Sequence, residues 1–258
     1  MKLYGLMKEE MKNKVLLIPD IHGRDFWKKA CNEWDGEIIF LGDFFDPYPQ
    51  EGIENPLDNA LEAIDFIYNN KDRCTVMLAN HDGHYIFPDF VQSSRYSHGN
   101  AELYKEQLKR IEDVTKGALI KGDIIFSHAG ITEIWAENFL ADYMKYYNME
   151  DVNDVVLETA KVLQDTPLSD YNQYYINALS MIGPARGGFN SCGSCVWADI
   201  SEHFTRKLSG FSPKWYSKFQ VFGHTQLKHE LIQEHWTCLD CRKPFIVNTD
   251  TKEIKEYV

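Results

Sequence analysis

Short apolar runs alternate with amphipathic stretches through the first half of the chain, and each run stops abruptly at a polar residue or a glycine. Val15–Ile18 is wholly apolar and ends at Pro19, the pattern of a strand buried on both faces. Glu37–Leu41 and Cys74–Ala79 repeat it. Between them, Asp25–Trp34 has helical spacing with Asp25 placed to cap, and Leu57–Asn69 sets Leu57, Leu61, Ile64 and Ile67 on one stripe. Ala101–Thr115, Ile131–Met144 and Val152–Leu163 predict further helices. Ala118–Ile120 and Asp123–Phe126 predict two strands split by a Lys121-Gly122 turn. The aromatic-rich stretch after Ala79 reads as loop, as does the glycine-rich Pro184–Ser194. Phe219–Phe222, Glu230–Gln233, Trp236–Leu239, Phe245–Val247 and Glu253–Tyr257 predict a closing series of strands.

Strand–helix alternation followed by consecutive strands predicts an α/β fold whose sheets are covered by helices. No repeat or linker interrupts it. The expected organisation is an N-terminal extension, residues 1–13, and a single domain over 14–258.

Composition narrows the function. The formal net charge of -12 disfavours bulk nucleic-acid binding and anionic membranes. A phosphate-bearing ligand would then need a local positive centre. No run approaches the roughly 20 apolar residues that span a bilayer, and the opening MKLYGLMKEEMKNK lacks the apolar stretch of a signal peptide. The expectation is a cytoplasmic protein whose six cysteines are reduced thiols.

The chemistry sits where strands end. The first strand runs into Asp20-Ile21-His22-Gly23, the second into Gly42-Asp43-Phe44-Phe45-Asp46, and the third into Asn80-His81-Asp82. The strand at Ile124 runs into Ser127-His128, and Phe219–Phe222 into Gly223-His224-Thr225. In α/β sheets the loops beyond strand C-termini are where ligands sit. Carboxylate oxygen and imidazole nitrogen suit Mn, Fe and Zn. Asp20 and His22, two apart on an extended exit, point to one side. Asp43, in the middle, is best placed to bridge two cations, and Asn80 adds a neutral oxygen. Two divalent ions carry four positive charges, of which Asp20, Asp43 and a bridging hydroxide remove three. The remainder would draw phosphate into an acidic protein. Each segment alone is a common loop or an interior histidine; the inference rests on all five occurring in order.

These five blocks resemble the signature of the calcineurin-like metallophosphoesterases, from Asp20 to about Val247. The resemblance implies a four-layer α/β sandwich, two mixed β-sheets flanked by helices, with a dinuclear metal centre at one edge. It implies Asp20, His22 and Asp43 on one metal, and Asp43, Asn80, His128 and His224 on the other. It further implies His81 as general acid, oriented by Asp46. A second histidine of the last block is replaced by Gln226. Together with Trp197-Ala-Asp199 this makes the chain similar to the phosphoprotein phosphatase and diadenosine tetraphosphatase branch. That branch normally has Arg after the second Asp of its Gly-Asp block, where this chain has Pro47. Ala79 replaces a usual Gly and is expected to be tolerated.

The implied activity is hydrolysis of phosphomonoesters or phosphoanhydrides, with Ser/Thr-phosphatase-like chemistry. A phosphoprotein, a phosphorylated small molecule, a dinucleoside polyphosphate or another nucleotide are all open as substrates. A non-catalytic scaffold of the same fold and a zinc-stapled nucleic-acid binder are the outside alternatives. Arg186, flanked by glycines, is the first candidate to bind substrate phosphate alongside Asn80, with Arg24 and Arg95 behind it. His84 reads as a loop histidine without a role. Cys192, Cys195, Cys238 and Cys241 form two Cys-x-x-Cys pairs that could hold structural zinc or remain buried thiols.

Overall fold

The computed structural model describes residues 13–147, 154–204 and 217–258. The expected extension therefore falls outside the described residues save for Asn13, as does Val152. Among the described residues eleven strands form two sheets. The first has the order β11-β10-β1-β2-β3-β4: Ile254–Glu256, Phe245–Asn248, Lys14–Ile18, Ile38–Phe40, Cys74–Met77 and Thr115–Lys116. The second has the order β5-β6-β7-β9-β8: Leu119–Lys121, Ile124–Phe126, Phe219–Phe222, Trp236–Cys238 and Leu231–Ile232. Both are mixed. β1, β2, β3 and β4 run parallel with β10 antiparallel beside them, and β6, β7 and β9 run parallel between antiparallel β5 and β8.

The unbroken apolar runs now have a cause. Val15 and Leu17 of β1 join Ile39, Leu41, Met77, Ile124, Phe126 and Val221 in the core between the sheets. Leu16 and Ile18 face the other way, onto Trp27, Ala30, Ile64 and Ile67 of the covering helices. A strand buried on both faces cannot alternate in polarity. Beyond the second sheet, Trp135, Phe139, Ala160, Leu163 and Tyr175 pack on Ile125. Helix, sheet, sheet and helix make four layers, as expected.

Boundaries differ in instructive places. The first helix is Trp27–Glu33, and its cap position is Phe26, with no side-chain cap from Asp25. The helix read as Ala101–Thr115 ends at Lys109, because Thr115 is claimed by β4. Asn80–Ile86, read as loop, is a helix, and a further helix spans Gln173–Leu179, capped by the Asn172 side chain. Ala79 sits at φ -116°, ordinary extended backbone that admits its methyl.

Structural zinc is not supported. Cys192 and Cys195 lie in the core beneath the second sheet, Cys238 beside Phe222 and Trp236, and Cys241 between the sheets. All six cysteines are free and buried. Burial pushes the Cys195 and Cys238 thiols up, and Cys241 to about 12, so burial alone favours the neutral thiol. Among the described residues no candidate metal-ligand group contains a cysteine.

Candidate metal centre

The five loops meet at one edge of the sandwich. The first two run side by side: the amides of His22 and Gly23 donate to the carbonyls of Asp43 and Phe44 at 2.6 and 2.9 Å. Gly42 makes this possible, at φ +92° and with room for no side chain. His22, Asp43, Asp46 and His224 themselves adopt left-handed backbone, φ 44°, 53°, 58° and 65°. Such angles cost a non-glycine residue about 1 kcal/mol or more, and four of them fall on the candidate site residues.

The side chains bring acceptors against acceptors. His22 Nδ1 faces the Phe45 carbonyl at 2.7 Å and His128 Nδ1 the Leu41 carbonyl at 2.7 Å, so both protons are assigned to Nδ1. Each Nε2 is then a bare lone pair. His22 Nε2 lies 3.2 Å from Asp43 Oδ2, and His128 Nε2 lies 3.6 Å from the same oxygen. His128 Nε2 is also 3.0 Å from Asn80 Oδ1 and 3.0 Å from His224 Nδ1. Asn80 Nδ2 donates to Ser93 Oγ at 3.0 Å, which turns its oxygen inward. His224 Nε2 is buried without a partner. Converging lone pairs of this kind are satisfied by a cation, and the donor set is one that divalent transition ions accept.

Among the described residues three buried sets of donor atoms each lie within 4.8 Å of one another; one is Asp46–His81–His84, and the other two are His22–Asp43–His81 and Asp43–His128–His224. Asp43 belongs to both. Its Oδ1 accepts the His81 amide at 3.0 Å, leaving Oδ2 to face the histidines. Asp20 stands apart from both groups: its two oxygens accept the His224 amide at 3.2 and 3.0 Å. Burial, then the charge of Asp43, raises the Asp20 carboxyl well above the carboxylate range. Burial acts the same way on Asp43, but the imidazoles of His128, His81 and His22 more than offset it and keep that carboxyl well below the range. Burial holds His128 down, and burial with the Arg186 charge holds His224 well down. A divalent ion binds imidazole and carboxylate in their deprotonated forms, in competition with protons.

Beside this lies a second constellation. His81 Nδ1 is 2.8 Å from Asp46 Oδ2, and Tyr85 Oη donates to Asp46 Oδ1 at 2.6 Å. His84, which the sequence left without a role, is buried on the helix Asn80–Ile86; its Nδ1 accepts the Ser93 amide at 3.0 Å and its Nε2 lies 3.1 Å from Asp46 Oδ2. Burial pushes Asp46 up, and the bonds from His81, His84 and Tyr85 outweigh it, so the carboxyl is lowered. Burial lowers His81. Asp82, one residue on, accepts the amides of Asp43 and Phe44 at 2.8 and 3.1 Å and so braces the second loop. The Asn-His-Asp triplet directly after a strand was the signal that could have revealed it.

Arg186, expected at the phosphate, lies 3.0 Å from Asp199 and donates to Thr225 Oγ1 at 2.6 Å, next to His224. Arg24 donates to both oxygens of Glu51 at 2.7 and 3.0 Å, and Gln226 reaches the same carboxylate at 3.1 Å, away from the donor atoms. Trp197 packs edge-on to His224, ring centres 6.1 Å apart. Asp240, also unforeseen, is buried with Oδ1 unpartnered; burial and the nearby Asp20 push it to about 8.

Two mixed sheets between helical layers, with Asp, His and Asn gathered at the strand ends, define a metallophosphoesterase fold. The chain belongs to the calcineurin-like phosphoesterase family, whose model matches residues 14–226. No curated protein matches it in sequence. Among solved structures it resembles the cold-active protein-tyrosine phosphatase of the psychrophile Shewanella sp., at TM-score 0.54 and 13% identity over 95% of this chain and 80% of that one. A second structure of a cold-active protein tyrosine phosphatase gives 0.53 and 14%, over 95% and 78%. A Saccharomyces cerevisiae protein serine/threonine phosphatase gives 0.47 and 12%, over 95% and 79%. At these identities the likeness is one of fold.

Proposed function

We propose that this protein is a metal-dependent phosphoesterase that hydrolyses phosphomonoesters or phosphoanhydrides. The observation that carries the reading is the convergence of lone pairs from His22, His128, His224 and Asn80 on Asp43, with the opposite nitrogen of His22 and of His128 tied to a backbone carbonyl. His22 and Asp43, with Asp20 beside them, would hold one divalent ion; Asn80, His128 and His224 would hold the second, with Asp43 shared. Such a pair lowers the pKa of bound water and neutralises charge on a phosphoryl group, with Mn, Fe or Zn all suited to the donors.

The chain's own residues supply the rest. Asp46 accepts from His81 Nδ1, which fixes the ring and leaves Nε2 to exchange a proton with substrate. As general acid, His81 places a proton from Nε2 on the leaving oxygen, so the alcohol departs neutral. Anionic Asp46, held by Tyr85 and the two histidines, stabilises the imidazolium on the way. Arg186 contributes positive charge at the rim near His224. The sequence retains all six expected ligand residues, His81 and Asp46, which favours a catalyst over a non-catalytic scaffold. Six buried, unpaired thiols support a reducing, cytoplasmic setting. Among the described residues no helix is long and apolar enough to cross a membrane.

Stripping the protein of metal, restoring Mn and assaying p-nitrophenyl phosphate and diadenosine tetraphosphate tests the reading. Metal-restored turnover of at least one substrate is expected; none with Mn, Fe or Zn would overturn it.

A further inference from the structure

Among the described residues, Arg24, Arg186 and Arg95 belong to loops near the centre, and the first two are matched by carboxylates. Arg24 lies on Glu51, with Nη1 on the Asp20 carbonyl at 3.1 Å, and Arg186 lies on Asp199. Arg95 differs. Its Nε donates to the Asp46 carbonyl at 2.9 Å and its Nη1 to Ser94 Oγ at 3.3 Å. Its guanidinium stacks over Tyr48, 3.7 Å from the ring centre. None of these partners carries a negative charge. Its Nη2 lies 3.4 Å from His81 Nε2, the atom that faces the leaving oxygen in the reading above.

The placement is built from both sides. Tyr48 and the Asp46 carbonyl come from the loop that orients His81. Arg95 follows Ser93, whose hydroxyl donates to the Asn80 carbonyl at 3.1 Å and receives the Asn80 side-chain amide. Arg95 adopts φ +66°, a conformation a long side chain avoids without a compensating gain. An arginine serving only to pack on Tyr48 would not need its Nη2 at the tip of His81. A guanidinium presents parallel N–H groups to two phosphate oxygens, and an unmatched one gains most from a doubly charged group.

We propose that Arg95 is a specificity-determining residue: it takes non-bridging oxygens of a terminal phosphate beside His81 and so favours dianionic monoesters over diesters. The inference rests on the phosphoesterase reading and narrows its substrate class. A monoester offers three non-bridging oxygens and two charges, so oxygens remain for Arg95 after other groups are engaged. A diester offers two oxygens and one charge, and loses less when Arg95 is removed.

The test compares wild type, Arg95→Met and Arg95→Lys, each loaded with Mn, on p-nitrophenyl phosphate and its bis ester, with inorganic phosphate as competitive inhibitor. Arg95→Met is expected to raise KM for the monoester and Ki for inorganic phosphate by about 10- to 100-fold, the loss of one charge-assisted contact. The kcat/KM for the bis ester should change less than about threefold, and Arg95→Lys should recover part of the monoester loss. A parallel fall on both esters, or an unchanged Ki, would overturn the proposal. If wild type turns over neither ester, nor diadenosine tetraphosphate with Mn, Fe or Zn, the phosphoesterase reading fails. Calorimetric binding of inorganic phosphate to the Mn-loaded proteins then decides Arg95: weakened binding in Arg95→Met sustains it, and equal binding in both sinks it. Should Arg95→Met not fold, Arg95→Gln takes its place.

Discussion

His128 Nε2 and His224 Nδ1 lie 3.0 Å apart although 96 residues separate them in the chain. The parallel pairing of Ile124–Phe126 with Phe219–Phe222 produces this, because adjacent parallel strands deliver their C-terminal residues side by side. Nothing local to either histidine does so. Neutral imidazole nitrogens at that distance, with the Asn80 oxygen 3.0 Å from the same His128 nitrogen, gain little from one another and much from a shared cation.

The His81–Asp46 pair makes a leaving-group prediction. His81→Asn should retain metal and lower kcat about a hundredfold or more on alkyl phosphates, whose leaving oxygens need a proton. On p-nitrophenyl phosphate, whose leaving group departs as an anion, the loss should be much smaller. Steady-state kinetics across leaving groups of graded pKa checks this; equal losses throughout would refute a proton-donor role.

Glu51 ties Arg24, Gln226 and Arg242 together, at 2.7, 3.1 and 2.9 Å, and so joins the loop after β1 to the loop after β7. Hydrogen bonding from Arg24, with the charges of Arg24 and Arg242, lowers its carboxyl from 4.5 to about 2. A depressed folded-state pKa adds stability above the unfolded value and loses it as pH falls toward the folded one. Wild type should exceed Glu51→Gln by about 2 kcal/mol at pH 7, with the gap closing between about pH 4.5 and 2. Denaturant unfolding at several pH values checks it, and a gap independent of pH would contradict the linkage.

Much of this site was legible in the sequence, for a physical reason. Asp20, Asp43, Asn80, His128 and His224 each follow an apolar run, and parallel sheets gather such ends at one edge, so order along the chain carried spatial information. Asp82, His84 and Tyr85 were missed because the seven-residue helix Asn80–Ile86 is too short to show a period. Their partners, Asp43 and Asp46, lie 38 or 39 residues earlier and are reached only by closure of the fold. The left-handed backbone of His22, Asp43 and Asp46 is likewise invisible to residue type. Arg186 looked unmatched because its partner Asp199 is brought to it by tertiary packing. The two Cys-x-x-Cys pairs suggested a shared site that three separate core clusters do not provide.

Gly42 is the tightest point of the second loop. A methyl there would lie 2.5 Å from the Ala79 methyl and 2.6 Å from the Met77 carbonyl, at φ +92°. Gly42→Ala should cost about 3 kcal/mol or more and displace Asp43. Adding Ala79→Gly removes one of these contacts and should recover only part of the loss. Thermal unfolding of both variants measures it; full recovery would place the strain in the Ala79 contact alone.

Metal content of Asp43→Asn bears most directly on the whole account. Wild type, loaded with Mn and dialysed, should retain about two ions per chain, one on Asp20, His22 and Asp43 and one on Asp43, Asn80, His128 and His224. Asp43→Asn should retain well under one while keeping its fold by circular dichroism. A folded variant that still carries two ions would show that Asp43 does not join the two sites, and the proposed centre would be wrong.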